Sequence, residues 1–539
     1  MSPSKQKLKI GLIVSRKTIP AWAFNLTEWI QQSDFAELKL VILYNHPKEK
    51  TRRNILHKIR FFLFAMHQTF EKIVFKPKPD ALREHLISDI TGSNPIELNP
   101  HPEASSALQK KRESIVSERI DVLIAVHPFL PDERLIGMSK FGIWTVETST
   151  PHQKDFSTTA VWEVFQQKPV TDLCLTIHHK KTIRFKVSFA TIKNSIRWNR
   201  NFHYWKAMCC IQAKLEQLYK LGWAKLIISG EASPAATNKK VPGNLAVLGG
   251  TIRMFSSYIG GKIGNLLYRE QWTILFSLQN NKKNSLQEFH RIIPPKDRLW
   301  ADPFVIKKEN KTCIFAEEMR YREQKGKIIA TEIDQSGVPG KPITVLELNH
   351  HLSYPYLFNE GGHLFMIPET TQKRTIELYK CLKFPDRWTY SKTILKGLEA
   401  ADASLLKHND TYWLFANVRM HEGVSINDDL FLFFSNDLFG DEWTPHPMNP
   451  IVSDVRFARP AGQITIRNNR LIRPAQDCSK RYGYAIQLME IIELNETDYR
   501  ERHLQTFLPG WETGVLGVHT YNLAEGIAVS DALIRRKKF

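Results

Sequence analysis

The sequence lacks the features that mark secreted, cysteine-ligated and membrane-spanning proteins. It has 6 cysteines among 539 residues, scattered and without a C-x-x-C pair, which favours buried thiols in a reducing compartment over a disulfide framework. No run of about 18 uncharged apolar residues occurs, so no transmembrane helix is expected. The first apolar stretch is soon interrupted by Arg16 and Lys17, unlike a signal peptide. These absences predict a cytoplasmic protein that uses neither a metal nor another cofactor.

Acidic residues are also few relative to basic ones. The chain has 75 Lys and Arg against 55 Asp and Glu, a net charge of +20, which favours anionic partners. No nucleic-acid recognition module is recognisable and the basic residues are spread along the chain, so no specific nucleic-acid partner is expected. The densest basic segment, residues 50–67, predicts a helix with an apolar face. It either lies on the inner face of an anionic membrane as a peripheral contact or packs with a solvated basic rim.

The chain is too long for one ordinary domain. Its pattern predicts an α/β domain over residues 1–220, a linker with an interdomain helix over 221–270, and an all-β domain over 271–539. In the first part, predicted strands alternate with helices such as Ala21–Gln32, which is typical of a doubly wound parallel sheet. The predicted strands are Lys9–Val14, Leu38–Tyr44 and Val122–Val126.

Ligands of such sheets bind at the carboxyl ends of the strands. Here those ends are Ser15–Thr18, Asn45–His46 and His127–Pro128. The first strand is not followed by G-x-G-x-x-G, so a dinucleotide site is not expected.

Two segments of the first domain resemble the formyltransferase family, which formylates methionyl-tRNA or nucleotide amino sugars. They are Asp121-Val-Leu-Ile-Ala-Val-His-Pro and Gly142-Ile-Trp-Thr-Val-Glu-Thr-Ser. The resemblance implies an Asn and a His on the last strand, but Thr145 and Glu147 stand at those positions. After Thr171 the chain runs Asp172-Leu-Cys-Leu-Thr-Ile-His-His-Lys-Lys, with no acidic residue at the position where the resemblance implies an Asp. The family's fold is therefore implied with its catalytic residues lost, and loss of one oxyanion donor already lowers a rate about 10²–10³-fold.

Between the domains, the segment Asn244–Tyr268 is apolar and contains five glycines. It is preceded by turn-forming residues that are typical of a linker. Two interpretations are open for it: an interdomain helix or a segment that touches a membrane.

Five similar phrases, spaced by roughly 50 residues, organise the last part of the chain as a five-bladed β-propeller. They are Asp302-Pro-Phe-Val-Ile, Tyr354-Pro-Tyr-Leu-Phe, Asp402-Ala-Ser-Leu-Leu, Arg459-Pro-Ala-Gly-Gln-Ile-Thr-Ile and His519-Thr-Tyr-Asn-Leu. Because the innermost strand of each blade runs along the central channel, its first residues can share one mouth. The strand Gln271–Ser277 is predicted to pair with the strands after His519 and so to close the ring.

The phrase Trp300-Ala-Asp-Pro-Phe resembles the opening of the five-bladed propeller glycosidases, the arabinanase, xylosidase, invertase and levansucrase group. This resemblance implies that Asp302 is the base or nucleophile and that Asp402 tunes proton affinity. Where the group places a general-acid Glu, this chain has Arg459. The candidates for the acid are instead Glu317, Glu318 and Glu369.

A second resemblance is to the N-terminal domain of the glucosamine inositolphosphorylceramide glycosyltransferase family, over about residues 290–500. The phrases that carry it are Trp-Ala-Asp-Pro-Phe, Ser353-Tyr-Pro-Tyr, Met366-Ile-Pro-Glu-Thr, Ala401-Asp-Ala-Ser, Ala458-Arg-Pro-Ala-Gly, Arg473-Pro-Ala-Gln-Asp-Cys and Tyr482-Gly.

These observations predict glycosyl transfer or cleavage on an anionic glycan, glycolipid or nucleotide-sugar intermediate, in cell-surface polysaccharide biosynthesis. Two sets of side chains are expected to bind this ligand. Arg459, Arg473, Gln476 and Asp477 would form a polar, cationic surface, and Trp300, Tyr354, Tyr356 and His519 would stack on sugar rings. The alternatives are a non-catalytic propeller that binds a glycan or lipid, and an amino-sugar N-formyltransferase.

Overall fold

The chain was analysed as a computed structural model that describes residues 6–44, 59–90, 95–98, 113–126, 133–147, 158–230, 241–278, 285–524 and 526–538. It divides into two compact units. The first comprises Met1–Val187, Thr191–Ile259 and His421–Val424, and the second comprises Ser188–Ala190, Gly260–Met420 and Ser425–Phe539. The six cysteines all lie in the described ranges and form no disulfide.

The first unit contains a sheet whose seven described strands have the order β5-β3-β1-β6-β7-β8-β9. Its strands, with the short pair β2 and β4, are β1 (Leu8–Val14), β2 (Thr18–Pro20), β3 (Ala36–Tyr44), β4 (Glu84–Leu86), β5 (Ile96–Leu98), β6 (Val122–Ala125), β7 (Ile143–Glu147), β8 (Val170–His178) and β9 (Thr182–Ala190). Neighbours from β5 to β7 pair in parallel, and β7 pairs with β8 in antiparallel fashion. The predicted parallel sheet with helices is confirmed. The chain moves from one side of β1 to the other between β5 and β6.

The described residues form seven α-helices between Ala21 and Leu267. They are α1 (Ala21–Gln32), α2 (Phe62–Val74), α3 (Glu133–Ile136), α4 (Val161–Phe165), α5 (Ile196–Leu221), α6 (Trp223–Ile228) and α7 (Asn244–Leu267), with 3₁₀ turns at Ile87–Ile90, Leu286–Glu288 and Thr371–Lys373. Helix α1 has the predicted bounds because Trp22, Leu26 and Ile30 recur four residues apart and are all buried, as one apolar helix face requires. Among the described helices, none combines the length and the hydropathy that a membrane crossing needs.

Some predicted segments fall only partly within the described residues. Of the basic helix predicted over 50–67, residues 59–67 are described, and α2 begins there at Phe62. The strand ends Asn45–His46 and His127–Pro128 lie outside the described residues. Part of the predicted linker, residues 231–240, lies outside them as well.

The second unit is a five-bladed β-propeller, as predicted. Four blades are four-stranded antiparallel sheets formed by consecutive strands. These are blade 1 (β12 Arg298–Lys308, β13 Lys311–Arg320, β14 Gly326–Ile333, β15 Ile343–Leu346), blade 2 (β16 Ser353–Glu360, β17 His363–Thr370, β18 Thr375–Lys383, β19 Arg387–Lys396), blade 3 (β20 Ala400–His408, β21 Thr411–Val418, β22 Leu430–Ser435, β23 Thr444–Pro445) and blade 4 (β24 Thr465–Arg467, β25 Arg470–Asp477, β26 Ala485–Leu494, β27 Tyr499–Phe507).

Blade 5 mixes both ends of the unit. Its strands are β10 (Tyr268–Ser277), β11 (His290–Ile292), β28 (Val515–Gly517), β29 (Tyr521–Ala524) and β30 (Ile527–Lys537). The first of them pairs with the last along its whole length, from Tyr268 opposite Lys537 to Ser277 opposite Ala528. The predicted ring closure is therefore present, and it leaves no open edge between the first and last blades.

Blades 1 to 3 share an unusual backbone feature at the start of their inner strands. Asp302, Tyr354 and Asp402 have φ angles of 53°, 44° and 52°, in the left-handed region that non-glycine residues seldom occupy. Each lies at a register shift in the pairing with the second strand. A β-bulge of this kind re-aims the side chain that it carries. The repeated phrase in the sequence thus encodes a repeated bulge.

We expect Gly462→Ala to destabilise the propeller by about 3 kcal/mol or more, because a Cβ here collides with backbone. Gly462 has a φ of 139°, and an added Cβ would lie 2.2 Å from the carbonyl oxygen of Tyr521 in blade 5. Denaturant unfolding followed by tryptophan fluorescence measures the change.

The matched control is Gly397→Ala. Gly397 also has a positive φ, of 83°, but no atom lies within 4 Å of the added Cβ. Only the backbone conformation is then strained, at about 1–2 kcal/mol. Equal losses for the two variants would contradict a close packing of blades 4 and 5 at Gly462.

Candidate functional site

Asp302 is held in the propeller by side-chain and backbone contacts from two other blades. Its carboxylate accepts hydrogen bonds from the Thr520 hydroxyl at 2.8 Å and from the Tyr354 backbone N–H at 3.3 Å. Only 3% of Asp302 is exposed. Burial raises its pKa to about 6, with His519 opposing the shift and Asp402 and Asp531 adding to it. Asp302 is therefore fixed in position and is mostly ionised at pH 7.

His519 lies between two carboxylates. Its Nε2 is 3.3 Å from Asp302 Oδ1, and its Nδ1 is 2.7 Å from Asp531 Oδ2. Its ring stacks on Trp272 with centroids 3.9 Å apart. Burial alone would lower the pKa of His519, but Asp531 and Asp302 outweigh it and the pKa is raised. Instead of stacking on a sugar as predicted, His519 is buried and supplies positive charge to the acids.

Arg459 occupies the position where the glycosidase resemblance implies a glutamate. Its Nε and Nη2 donate to the two oxygens of Asp402 at 2.6 and 3.2 Å. Its Nη1 donates to Asn427 at 2.7 Å, and its Nη2 lies 3.4 Å from Glu369. Asp402 also accepts a hydrogen bond of 2.8 Å from Gln476. Asp402 and Arg459 thus form a buried, two-point ion pair that holds Glu369 beside it.

Two glutamates on second strands join this cluster. Glu317 lies opposite Ala301, and Glu369 lies opposite Ser353, each beside the bulge of its blade. The pKa of Glu369 is raised to about 8, first by burial and then by Asp402, with Arg459 opposing the shift. Burial, followed by Asp302 and Glu369, also raises the pKa of Glu317 well above its usual value. Glu369 therefore favours its protonated form at pH 7 beside a mostly ionised Asp302, and the pKa of Glu317 shifts in the same direction.

Other predicted residues do not reach this cluster. Glu318 follows Glu317 on the same strand, so it points to the opposite face of the sheet. There it accepts a hydrogen bond from the Trp300 indole at 2.9 Å and pairs with Arg298 at 3.1 Å. Trp300 itself packs in a hydrophobic cluster with residues of blade 5. Glu317 and Glu318 are adjacent in the sequence, but the register of the strand places Glu317 in the cluster and Glu318 outside it.

The predicted stacking tyrosines belong to the core between blades. Tyr354 and Tyr356 are buried, pack edge-on against Phe304, and hydrogen-bond to Ser404 and the Leu405 carbonyl of blade 3. Their rings are covered by protein and cannot stack on a sugar in this arrangement.

The predicted cationic surface is neutralised inside the protein. Arg473 is 1% exposed and is paired with Glu501, with N–O distances of 2.7 and 2.9 Å. Asp477 accepts a hydrogen bond of 2.9 Å from the Ser479 backbone N–H. Of the four residues predicted for this surface, only Arg459 and Gln476 contact the acid cluster, and both donate hydrogen bonds to Asp402.

Four residues of the site were missed by sequence reasoning. Asp531, Thr520 and Asn427 contact the cluster as described, and Tyr482 lies at its edge. The residue Tyr482 is 42% exposed, with the Arg459 guanidinium 5.0 Å from its ring centroid and the His519 ring 5.3 Å away. The motif Tyr482-Gly was a usable signal, because Gly483 has a φ of 62° and packs against His519 and Trp272. Asp531 sits inside an apolar strand and carried no signal.

A metal ion has one candidate location among the described residues. Asp302, His519 and Asp531 each offer a ligand atom, and these atoms lie within 4.8 Å of one another. His519 lies between the two carboxylates there, and a metal ion would compete with a proton for its ring nitrogen. The expectation that the protein needs no metal stays a prediction.

The predicted formyltransferase positions of the first unit are partly described. Thr145 is buried, and its hydroxyl lies 2.9 Å from His178 Nε2. The side chain of Glu147 lies outside the described residues. The resemblance of this unit to formyltransferases stays a prediction, as does the loss of that activity.

Comparison with known proteins bears on the propeller. Residues 294–514 match the family model described as "Glucosamine inositolphosphorylceramide transferase 1, N-terminal". This confirms the second resemblance noted for the C-terminal part of the sequence.

Curated relatives match over the same part of the chain. The glucosamine inositolphosphorylceramide transferase 1 of Oryza sativa subsp. japonica is 33% identical over 204 residues, which cover 37% of this chain and 27% of the rice protein. The Arabidopsis thaliana protein of that name is 31% identical over 204 residues, covering 37% of this chain and 26% of its own length. The chain thus spans about a quarter of the length of these relatives.

Solved structures with similar backbones are carbohydrate-active enzymes. An α-L-arabinanase of Cellvibrio cellulosa, complexed with arabinohexaose, has a TM-score of 0.29 and 12% identity, and the match covers 38% of this chain and 77% of the arabinanase. The catalytic domain of a Coprinopsis cinerea α-L-arabinofuranosidase has a TM-score of 0.33 and 10% identity, covering 44% and 92% of the two chains.

We expect Arg459→Ala to lower the stability of the propeller by about 3–5 kcal/mol, because it leaves the buried Asp402 carboxylate without its cation. The double variant Arg459→Ala with Asp402→Asn removes both charges and should recover most of that loss. Urea unfolding of the parent, both single variants and the double variant measures the coupling. Additive losses would show that the pair is not coupled.

The raised pKa of Glu369 predicts a pH dependence of stability. Between its ordinary value of 4.5 and about 8, the folded state holds a proton that the unfolded chain has released, so the free energy of unfolding falls as pH rises through this window. Glu369→Gln removes this decline. The variant should gain on the order of 5 kcal/mol over the parent at pH 9 relative to pH 4.

Unfolding at both pH values tests this expectation, with Glu347→Gln as the control on a more exposed carboxylate. A constant difference between Glu369→Gln and the parent across the pH range would contradict a raised pKa of Glu369.

Proposed function

We propose that the propeller transfers or cleaves a glycosyl group, with Asp302 and Glu369 as its reacting carboxyl groups. Glycosyl chemistry needs one carboxylic acid that protonates the leaving oxygen and one carboxylate that acts at the anomeric carbon. The observation that carries the proposal is the position of the two carboxyl groups in one buried cluster, with Glu369 beside Arg459 and Asp302 beside His519. This environment raises the pKa of Glu369 to about 8 and that of Asp302 to about 6, which suits Glu369 to the role of acid and Asp302 to that of base.

The roles follow from these protonation states. Glu369 donates its proton to the oxygen of the glycosidic or donor bond as that bond breaks. The Asp302 carboxylate either attacks the anomeric carbon or takes the proton of the attacking water or acceptor hydroxyl. Arg459, 3.4 Å from Glu369, then stabilises the Glu369 carboxylate that the proton transfer leaves behind. Asp402 holds the Arg459 guanidinium in place for this.

The sugar ring is proposed to bind at Tyr482, the exposed aromatic residue at the edge of the cluster. Aromatic faces of this kind give apolar sugar surfaces a large contact area. Because Arg459 and Arg473 are paired with Asp402 and Glu501, neither offers a free charge to a phosphate. We therefore propose that the part of the ligand in the cluster is an uncharged sugar, and that any anionic group of a glycolipid or nucleotide sugar lies outside it.

The names of the curated relatives support a glycolipid as the source of this sugar, although the match covers about a quarter of their length. A setting in the assembly of cell-surface glycolipids or polysaccharides belongs to the same proposal.

A second candidate function, glycan binding without turnover, is favoured by the burial of the two aspartates. Asp402 is 2% exposed, and both of its oxygens are engaged by Arg459 and Gln476. A cluster of this kind can serve to shape the channel while Tyr482 holds the sugar.

Asp302→Asn is the test of the catalytic proposal. It preserves the size of the side chain but removes the base, so turnover of a panel of nitrophenyl glycosides and nucleotide sugars should fall at least about 10²-fold. Asp297→Asn is the control, because Asp297 is exposed and pairs with the adjacent Arg298. Circular dichroism checks that both variants fold. Undiminished turnover in Asp302→Asn would rule out the assigned role.

Glycan binding by Tyr482→Ala separates the two functions. Affinity for a bound glycan should fall by about tenfold in either case, since both use this ring. A parent protein that binds a glycan but turns over no member of the panel would establish the binding function and exclude the catalytic one.

A further inference from the structure

Two helices of the first unit expose apolar faces that the rest of the described chain leaves uncovered. On α2 the exposed residues are Phe62, Met66, Phe70 and Ile73, which we call the α2 face. On α7 they are Leu245, Leu248, Ile252 and Phe255, which we call the α7 face. Their spacing of three and four residues puts each set on one side of its helix. Leu245 is 87% and Phe255 65% exposed, which is unusual for large apolar side chains at this density.

The opposite sides of both helices are anchored to the same core cluster. Phe64 of α2 packs there with Val247 and Met254 of α7. At Gly250, an added Cβ would lie 2.3 Å from the Phe165 ring, so α7 rests directly on α4. Because one side of each helix is fixed in this way, the α2 and α7 faces point away from the core.

The beginnings of the two helices are also tied together. The Asn244 side chain accepts a hydrogen bond from the Leu63 backbone N–H at 3.1 Å and donates to the Ile59 carbonyl at 2.7 Å. The N-terminal ends of the two helices are therefore held together. Both helices expose their apolar residues in this structure without a conformational change.

The charge around these faces has one sign. Helix α7 contains Arg253 and Lys262 and no acidic residue. The acidic residue of α2, Glu71, is buried and accepts hydrogen bonds from Ser195 and the start of α5. Arg60 and Lys72 are exposed on or beside α2.

We propose that the α2 and α7 faces dock this protein on an anionic lipid bilayer, with the apolar side chains entering the interface and the basic ones meeting the headgroups. Helices with an apolar face and basic flanks bind membranes in this manner, lying in the interface plane without crossing it. A second copy of the chain is the less fitting occupant, because it would bring two basic surfaces together in a protein of net charge +20. The proposal is independent of the chemistry in the propeller.

Vesicle co-sedimentation of the whole chain tests this surface. The probes are vesicles of phosphatidylcholine alone and of phosphatidylcholine mixed with phosphatidylglycerol. The parent should bind the mixed vesicles more tightly, and added salt should weaken that binding. The variant Phe70→Gln with Ile252→Gln and Phe255→Gln should bind them at least about tenfold more weakly, and its exposed positions should leave folding intact.

The matched control changes three equally exposed apolar residues of the propeller. Leu382→Gln with Tyr390→Gln and Leu508→Gln should bind vesicles like the parent. The proposal is overturned if the α2 and α7 variant binds like the parent, or if charge in the vesicle makes no difference. It is also overturned if the parent does not bind vesicles and instead forms a dimer that the α2 and α7 variant abolishes. That result would identify a second copy of the chain as the occupant.

Discussion

A single buried carboxylate links the closing of the propeller ring to the geometry of its site. Asp531 on β30 is fully buried and accepts hydrogen bonds from the backbone N–H groups of Asp302, His519 and Thr520, at 3.1, 2.9 and 3.1 Å. The residue opposite it on β10 is Ile274, so Asp531 reaches this position only when the two ends of the unit pair. The bulge that aims Asp302, and the imidazole that compensates it, both depend on that pairing. Closure of the ring therefore places the carboxylate that positions Asp302 and His519.

The cluster gathers more acid than cation. Its carboxyl groups are those of Asp302, Glu317, Glu369, Asp402 and Asp531, while its cations are Arg459 and His519. Water is largely excluded, so this excess cannot be carried as free charge. Its effects are the raised pKa values of Glu317 and Glu369 and the pairing of Arg459 with Asp402. The ionisation of Asp302 and the protonation of Glu369 are thus two results of the same charge balance.

The sequence was sufficient to predict the structural features that repeat along the chain. It was insufficient to predict contacts between residues that are far apart in the sequence. The five phrases predicted the blades, the ring closure through Gln271–Ser277, and the presence of Asp302 and Asp402 at inner strand starts. They could not separate Glu317 from Glu318, because that choice depends on a one-residue register set by the bulge after Ala301.

Arg473 was predicted to bind a ligand because its protein partner could not be recognised from the sequence. Its partner Glu501 lies on β27, the outer strand of the same blade, and no local pattern connects the two. Asp531 was missed because one acid within an alternating apolar strand gives no motif. In each case the deciding contact is a tertiary one, between strands that the chain brings together only in the folded blade.

Because Arg459 and Arg473 are paired with Asp402 and Glu501, they limit how the propeller could bind an anionic glycolipid. A phosphate placed in the cluster would face an excess of carboxyl groups and no unpaired cation, so its burial there would be unfavourable. The sugar and the anionic group of such a ligand must then be recognised by different surfaces. In the proposals above, Tyr482 and the cluster take the uncharged ring, whereas exposed basic side chains occur around α2 and α7, where apolar residues are exposed as well. The charge balance of the propeller centre is the physical reason for assigning the two parts of a lipid-linked sugar to separate surfaces.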